Sequence, residues 1–110
     1  LDQQWKRDEG KPRLDLLPTP ALAKTADVFE YGTHKYEPWS WRKHPAEPNR
    51  WYASTMRHLF AWVEGEETDP ESGLPHLAHA TADLLIMLQI KEDRDYREET
   101  SSTLKPKLSS

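Results

Sequence analysis

The stretch WVEGEETDPESGLPHLAHATADLLIMLQI, Trp62 to Ile90, decides how the rest of the 110-residue chain is read. It joins an acidic turn (Glu64, Glu66, Glu67, Asp69, Glu71) to an apolar run whose start carries His76, His79 and Asp83. Those three stand three and four residues apart. At about 100° per residue they share one helix face. From Leu77 to Ile90 the run is apolar nearly all round, the pattern of the central helix of a bundle. Asp83 is the informative residue. Among Leu84, Leu85 and Met87 its carboxylate is expected to be desolvated, which requires a cation or a protonated partner.

Upstream, Asn49 is placed to cap a helix that runs to about Glu64 and stops at Gly65. Trp51, Met56, Leu59, Phe60 and Val63 supply its apolar contacts, with Arg57 and His58 beside them. Before it, THKYEPWSWRKHPAEP (Thr33–Pro48) holds Pro38, Pro45 and Pro48, which speak against regular structure. Tyr36, Trp39 and Trp41 are too apolar to leave all in water, so a packed loop is expected. With Lys35, Arg42 and Lys43 it could grip a nucleobase and phosphates, or its aromatics could simply cover a helix pair. A first helix follows Thr19-Pro20, Thr as cap and Pro at the first position, and ends at Gly32. Leu22, Ala26, Val28 and Phe29 are its expected buried stripe. Lys11-Pro-Arg-Leu-Asp-Leu-Leu-Pro18 reads as an extended lead-in that carries Lys11 and Arg13 to the body.

Composition narrows the chemistry. The chain is 35% hydrophobic and 31% charged, with a formal charge of −4, nine prolines and no cysteine. The acidic balance and the lack of a basic stripe speak against nucleic-acid binding. No cysteine means no thiolate chemistry, so any metal must be held by oxygen and imidazole. No apolar run is long enough to span a membrane, and a cytoplasmic location is expected. The fold class expected is all-α: a small bundle of three main helices with a structured aromatic loop, completed by oligomerisation because so polar a chain has a thin core. Residues 1–10 are read as a flexible lead-in, 11–96 as one domain and 97–110 as a disordered tail.

Three interpretations of the His76/His79/Asp83 face remain open from the residues alone. It could be a divalent metal centre, completed by His58 or by Glu64, Glu66, Asp69 or Glu71. It could be a metal-free acid–base pair. Or Asp83 could bond His79 at i, i+4 and merely satisfy polar groups inside a bundle.

KPRLDLLP, YGTHKY, RHLFAW and DPESGLPHLAHA, in that order over residues 10 to 92, resemble the phage dATP/dGTP diphosphohydrolase family, the MazZ-type proteins. These are related to the MazG-like all-α nucleoside triphosphate pyrophosphatases. The resemblance implies hydrolysis of dGTP or dATP to the monophosphate and pyrophosphate, in phage purine (2-aminoadenine) metabolism in the host cytoplasm. It implies Mg²⁺ or Mn²⁺ as cofactor, while the thin core points to a homo-oligomer, dimer or tetramer, and the composition to no nucleic-acid or membrane partner. Asp83 matches the Asp of the MazG Glu-x-x-Asp motif, whereas Ala80 stands at its Glu position with His79 one residue earlier. On this basis Glu66, His79 and Asp83 are expected to be catalytic, and these three with Asp69 and His58 to hold the metal. Lys11, Arg13, Lys35, Tyr36, Trp41, Arg57 and His76 are expected to bind substrate, Tyr36 or Trp41 stacking on the base. A different class is also open: a non-catalytic nucleotide-binding protein, such as a sponge for signalling nucleotides.

Overall fold

The computed structural model of the chain describes residues 10–109, with side chains described through residue 101. Trp5 and the rest of the expected lead-in before Gly10 lie outside the described residues. After a 3₁₀ turn at Leu14–Leu16 come four helices: α1 (Thr19–Gly32), α2 (Ser40–Lys43), α3 (Pro48–Val63) and α4 (His76–Ser109). The described residues contain no strand, only an isolated antiparallel bridge between Thr68 and Pro75. None of their helices is long and apolar enough to cross a membrane. The all-α class expected from the sequence is what forms.

Helix starts follow proline chemistry, one residue earlier than expected for α1 and two for α3. Pro18 caps α1 and Glu47 caps α3, so Thr19 and Asn49 lie inside their helices. Pro20 and Pro48 occupy opening positions, where their missing N–H leaves no intrahelical bond unmade. Helix α3 ends at Val63, where Gly65 takes φ 103°, a left-handed turn that a side chain would strain. The prolines around the aromatic loop do not exclude helix altogether, because the four residues between Trp39 and His44 close one turn, α2. Helix α4 has no glycine, and no proline before Pro106, so it runs on through the segment read as a tail from residue 97.

Packing centres on the contact of α4 with α3, with α1 and α2 against α4 as well. The face α4 turns inward is one of small residues, Ala78, Ala80 and Ala82, together with Ile86. Small side chains let helix axes approach, and the backbone-bonded hydroxyls of Thr25 and Thr55 bury on the same principle. The leucines of α4 are not the core. Leu84 is 53% and Leu88 55% exposed, because α1–α3 cover one side of α4 and leave the other bare. The expected stripe of α1 is likewise largely uncovered: Leu22 and Ala26 are exposed, and Val28 and Phe29 only half-buried.

One link ties the aromatic loop to α4. Arg42 forms a two-pronged bond to Asp93, Nε to Oδ2 at 2.8 Å and the second nitrogen to Oδ1 at 2.9 Å. Such paired geometry fixes orientation even at an exposed site. Replacing Arg42 by Ala is expected to speed protease cleavage within residues 36–47 while leaving helix content by circular dichroism unchanged.

Candidate metal centre and nucleotide cleft

The acidic turn is a clasp that delivers one carboxylate to α4. Asp69 N–H donates to the Leu74 carbonyl at 2.9 Å, Gly73 N–H to the Asp69 carbonyl at 2.7 Å and His76 N–H to the Glu67 carbonyl at 2.8 Å. Asp69 Oδ1 accepts the Glu71 N–H at 2.8 Å, an Asx turn, and Gly73 supplies the positive φ of 75° that closes the loop. Asp69 Oδ2 is thereby left facing two imidazoles, 3.9 Å from His58 Nδ1 and 3.9 Å from His79 Nε2. The His58 and His79 rings stack, centroids 4.5 Å apart and planes 6° from parallel.

His58, Asp69 and His79 each offer a ligand atom, and these atoms lie within 4.8 Å of one another. Burial holds both imidazoles below the usual histidine range, the neighbouring His79 adding to this for His58 while the Asp69 carboxylate opposes it for both. A histidine kept neutral retains a lone pair, which is what a metal requires. Ser72 Oγ sits 2.7 Å from His79 Nε2 and places a hydroxyl oxygen beside the cluster. Two imidazoles with a carboxylate fit a divalent transition ion such as Mn²⁺ better than Mg²⁺, which prefers oxygen ligands.

The cluster lies in the wall of a cleft of about 1000 Å³ between α1, the aromatic loop, α3 and α4. Tyr36, Trp39 and Trp41 line it, with Lys35 alongside. Trp39 holds φ 66°, a left-handed conformation that is uncommon for a bulky residue and typical of functional sites. Its ring meets Trp41 at 5.9 Å and carries the Arg42 guanidinium at 5.9 Å from its centroid. Asp83, 8% exposed, also borders the cleft. Burial raises its carboxyl above the usual range, against a hydrogen bond from Ser54 and the positive charge of Arg57. Asp83 Oδ2 and Trp51 Nε1 are buried without a hydrogen-bond partner.

The structure therefore sorts the expected residues into groups. His58, Asp69 and His79 come together, and Asp83 reaches the same cleft without joining their cluster. Asp83 does not bond His79, so the purely structural pairing fails: His79 Nε2 meets Ser72, and Asp83 takes a bond from Ser54. Glu66 pairs with His76 at 2.7 Å, and His76 is only 5% exposed; neither borders the cleft. Lys35 and Tyr31 both bond Glu71 at its edge. Lys11, Arg13 and Arg57 are exposed and away from the cleft lining, and Arg13 is clasped to Asp15 by two 2.8 Å bonds. Tyr31, Ser54 and Ser72 are cleft or cluster neighbours that the sequence reading did not place there, whereas Trp39 belongs to the loop read as able to grip a base. A signal for one of them was present: Trp51, Ser54 and His58 fall at i, i+3 and i+7, one face of α3.

The domain is thus an all-α bundle with a His/Asp cluster in the wall of an aromatic-lined cleft. The family described as dATP/dGTP diphosphohydrolase, N-terminal, matches residues 2–100, and the chain belongs to it. A protein of Salmonella phage PMBT28 named dATP/dGTP diphosphohydrolase is 29% identical over 89 residues, 81% of this chain and 30% of that relative. The chain thus spans less than a third of the relative's length. No solved structure matches it.

Proposed function

We propose that this domain binds a purine deoxynucleoside triphosphate and a divalent cation and hydrolyses dGTP or dATP to the monophosphate and pyrophosphate. The observation that carries the reading is that the His58–Asp69–His79 cluster and the tryptophans of the loop border one cleft. His58, Asp69 and His79 would hold Mn²⁺ or Mg²⁺, with the donor set favouring Mn²⁺. When bound, the cation lowers the pKa of a water and neutralises phosphate charge. Trp39, Trp41 and Tyr36 offer π faces on which a base stacks, and Lys35 offers a cation to the phosphates. Asp83 contributes a buried acceptor, Oδ2, whose burial raises its proton affinity. That suits proton acceptance near neutral pH better than an exposed carboxylate would. Family membership and the name of the phage relative support the substrate class.

The test is incubation of the purified chain with each dNTP and Mn²⁺ or Mg²⁺, followed by separation of products. The expected result is dGMP or dAMP with pyrophosphate. Nucleotide returned intact, though bound, would replace this reading with the non-catalytic binder.

The reading includes a homo-oligomer, supported by the bare side of α4. Sedimentation of the chain is expected to give a dimer or tetramer, and Leu84→Glu with Leu88→Glu is expected to give a monomer. Each leucine removed from water on association contributes about 1.5–3 kcal/mol.

A further inference from the structure

At the edge of the cleft two donors converge on one oxygen. The Tyr31 hydroxyl donates to Glu71 Oε1 at 3.2 Å, and the Lys35 ammonium bonds the same oxygen. The YGTHKY turn brings them there: Tyr31 stands in the last turn of α1 and Lys35 follows four residues later. His34 N–H bonds the Tyr31 carbonyl and Lys35 N–H the Gly32 carbonyl, each at 3.1 Å, so the chain keeps coiling and the two side chains are neighbours. The ammonium lies 5.2 Å from the centre of the Tyr31 ring, and that ring meets His79 edge-on at 6.3 Å. The two donors therefore stand beside the His58–Asp69–His79 cluster.

We infer that Tyr31 and Lys35 form a two-donor subsite for a phosphate oxygen, which the Glu71 carboxylate occupies in this structure and which a phosphate takes by displacing it; this rests on reading the cleft as a nucleotide site. The cleft is otherwise unfavourable to an anion. Glu30, Glu37, Asp69, Glu71 and Asp83 border it, and among the described residues only Lys35 and Arg50 answer them with a Lys or Arg side chain. A carboxylate and a phosphate offer an ammonium and a hydroxyl the same kind of acceptor, but a triphosphate brings more charge and more oxygens. The present occupant is also easily moved. The Lys35 and Glu71 side chains are 46% and 64% exposed, and exposed ion pairs contribute little. Nor does the clasp depend on the Glu71 carboxylate, because the Glu71 backbone N–H is what bonds Asp69 Oδ1. The side chain can swing into water while Asp69 stays in place.

The experiment is calorimetric titration of tripolyphosphate into the whole chain, without metal or nucleotide. Glu71→Gln is expected to bind tripolyphosphate about threefold or more tighter than the wild type, since an uncharged amide competes less well for the ammonium. Glu37→Gln removes the same charge from the same cleft without touching the donors, and should change binding by less than about twofold because salt screens it. Adding Tyr31→Phe to Glu71→Gln should weaken binding about tenfold, the loss of one hydrogen bond to a charged group. Because the titration needs neither cation nor turnover, the subsite can hold even if the domain hydrolyses nothing, and can fail while hydrolysis stands. Glu71→Gln binding no tighter than the wild type, the same gain in Glu37→Gln, or a gain untouched by Tyr31→Phe overturns the inference.

Discussion

Replacing Asp69 by Asn is expected to lower Mn²⁺-supported hydrolysis of dGTP by about a hundredfold or more while leaving the fold intact. The substitution separates two jobs of one side chain. Asp69 Oδ1 accepts the Glu71 N–H that closes the turn, and an Asn oxygen can accept the same bond. What Asn cannot supply is the negative charge that Oδ2 brings to 3.9 Å from both His58 and His79. Helix content should therefore be unchanged, and unfolding by urea should shift little. Initial rates at saturating Mn²⁺, measured beside a melting curve, check this. A variant that keeps wild-type rates removes Asp69 from the cation's ligands.

The second large effect concerns Asp83, where function and stability are expected to pull apart. Burial raises the folded-state pKa of Asp83 above its unfolded value, so its favourable contribution belongs to the protonated form. That contribution is fully present below the ordinary Asp range and is lost as pH rises through the raised folded value. Above that value the wild type carries a buried carboxylate with one oxygen unpartnered. Asp83→Asn removes the charge and should stabilise the protein at pH 7 by about 1–2 kcal/mol, a gain within the usual cost of an unsatisfied buried group. Urea unfolding should show this gain shrinking toward pH 4, as the pH falls through the raised folded value and the Asp83 carboxyl takes up its proton. The same variant should lose activity, as expected when a strained site is held for function. Equal stability of the two proteins at both pH values would contradict the account of Asp83.

Much of the fold follows from local rules visible in the chain. Pro20 and Gly65 mark helix ends by chemistry that needs no tertiary context, and they fall within two residues of the observed boundaries, whereas Pro48, read as part of the loop, opens α3. The orientation of α4 was less legible. Its leucines look like core, yet the buried positions are Ala78, Ala80, Ala82 and Ile86, because close helix approach rewards small side chains, and among the described residues Leu84 and Leu88 stay exposed. The site was legible in residue type but not in grouping. Helical spacing ties His76 to His79 and Asp83, whereas the observed cluster joins His79 to Asp69, ten residues away in an irregular turn, and to His58 on another helix. No periodicity encodes that, since it depends on how the clasp at 67–76 folds back. The spacing of His76 is real, but its ring points to Glu66 and His58 rather than into the cleft.

The central claim is that His58, Asp69 and His79 together hold a divalent cation in the wall of the nucleotide cleft. Titration of Mn²⁺ into the chain, followed by electron paramagnetic resonance of free Mn²⁺, measures it without requiring turnover. The account predicts saturable binding by the wild type that dGTP tightens. It predicts that binding falls at least about tenfold in His58→Ala, Asp69→Asn and His79→Ala alike. Mn²⁺ binding of wild-type strength in all three variants would contradict it.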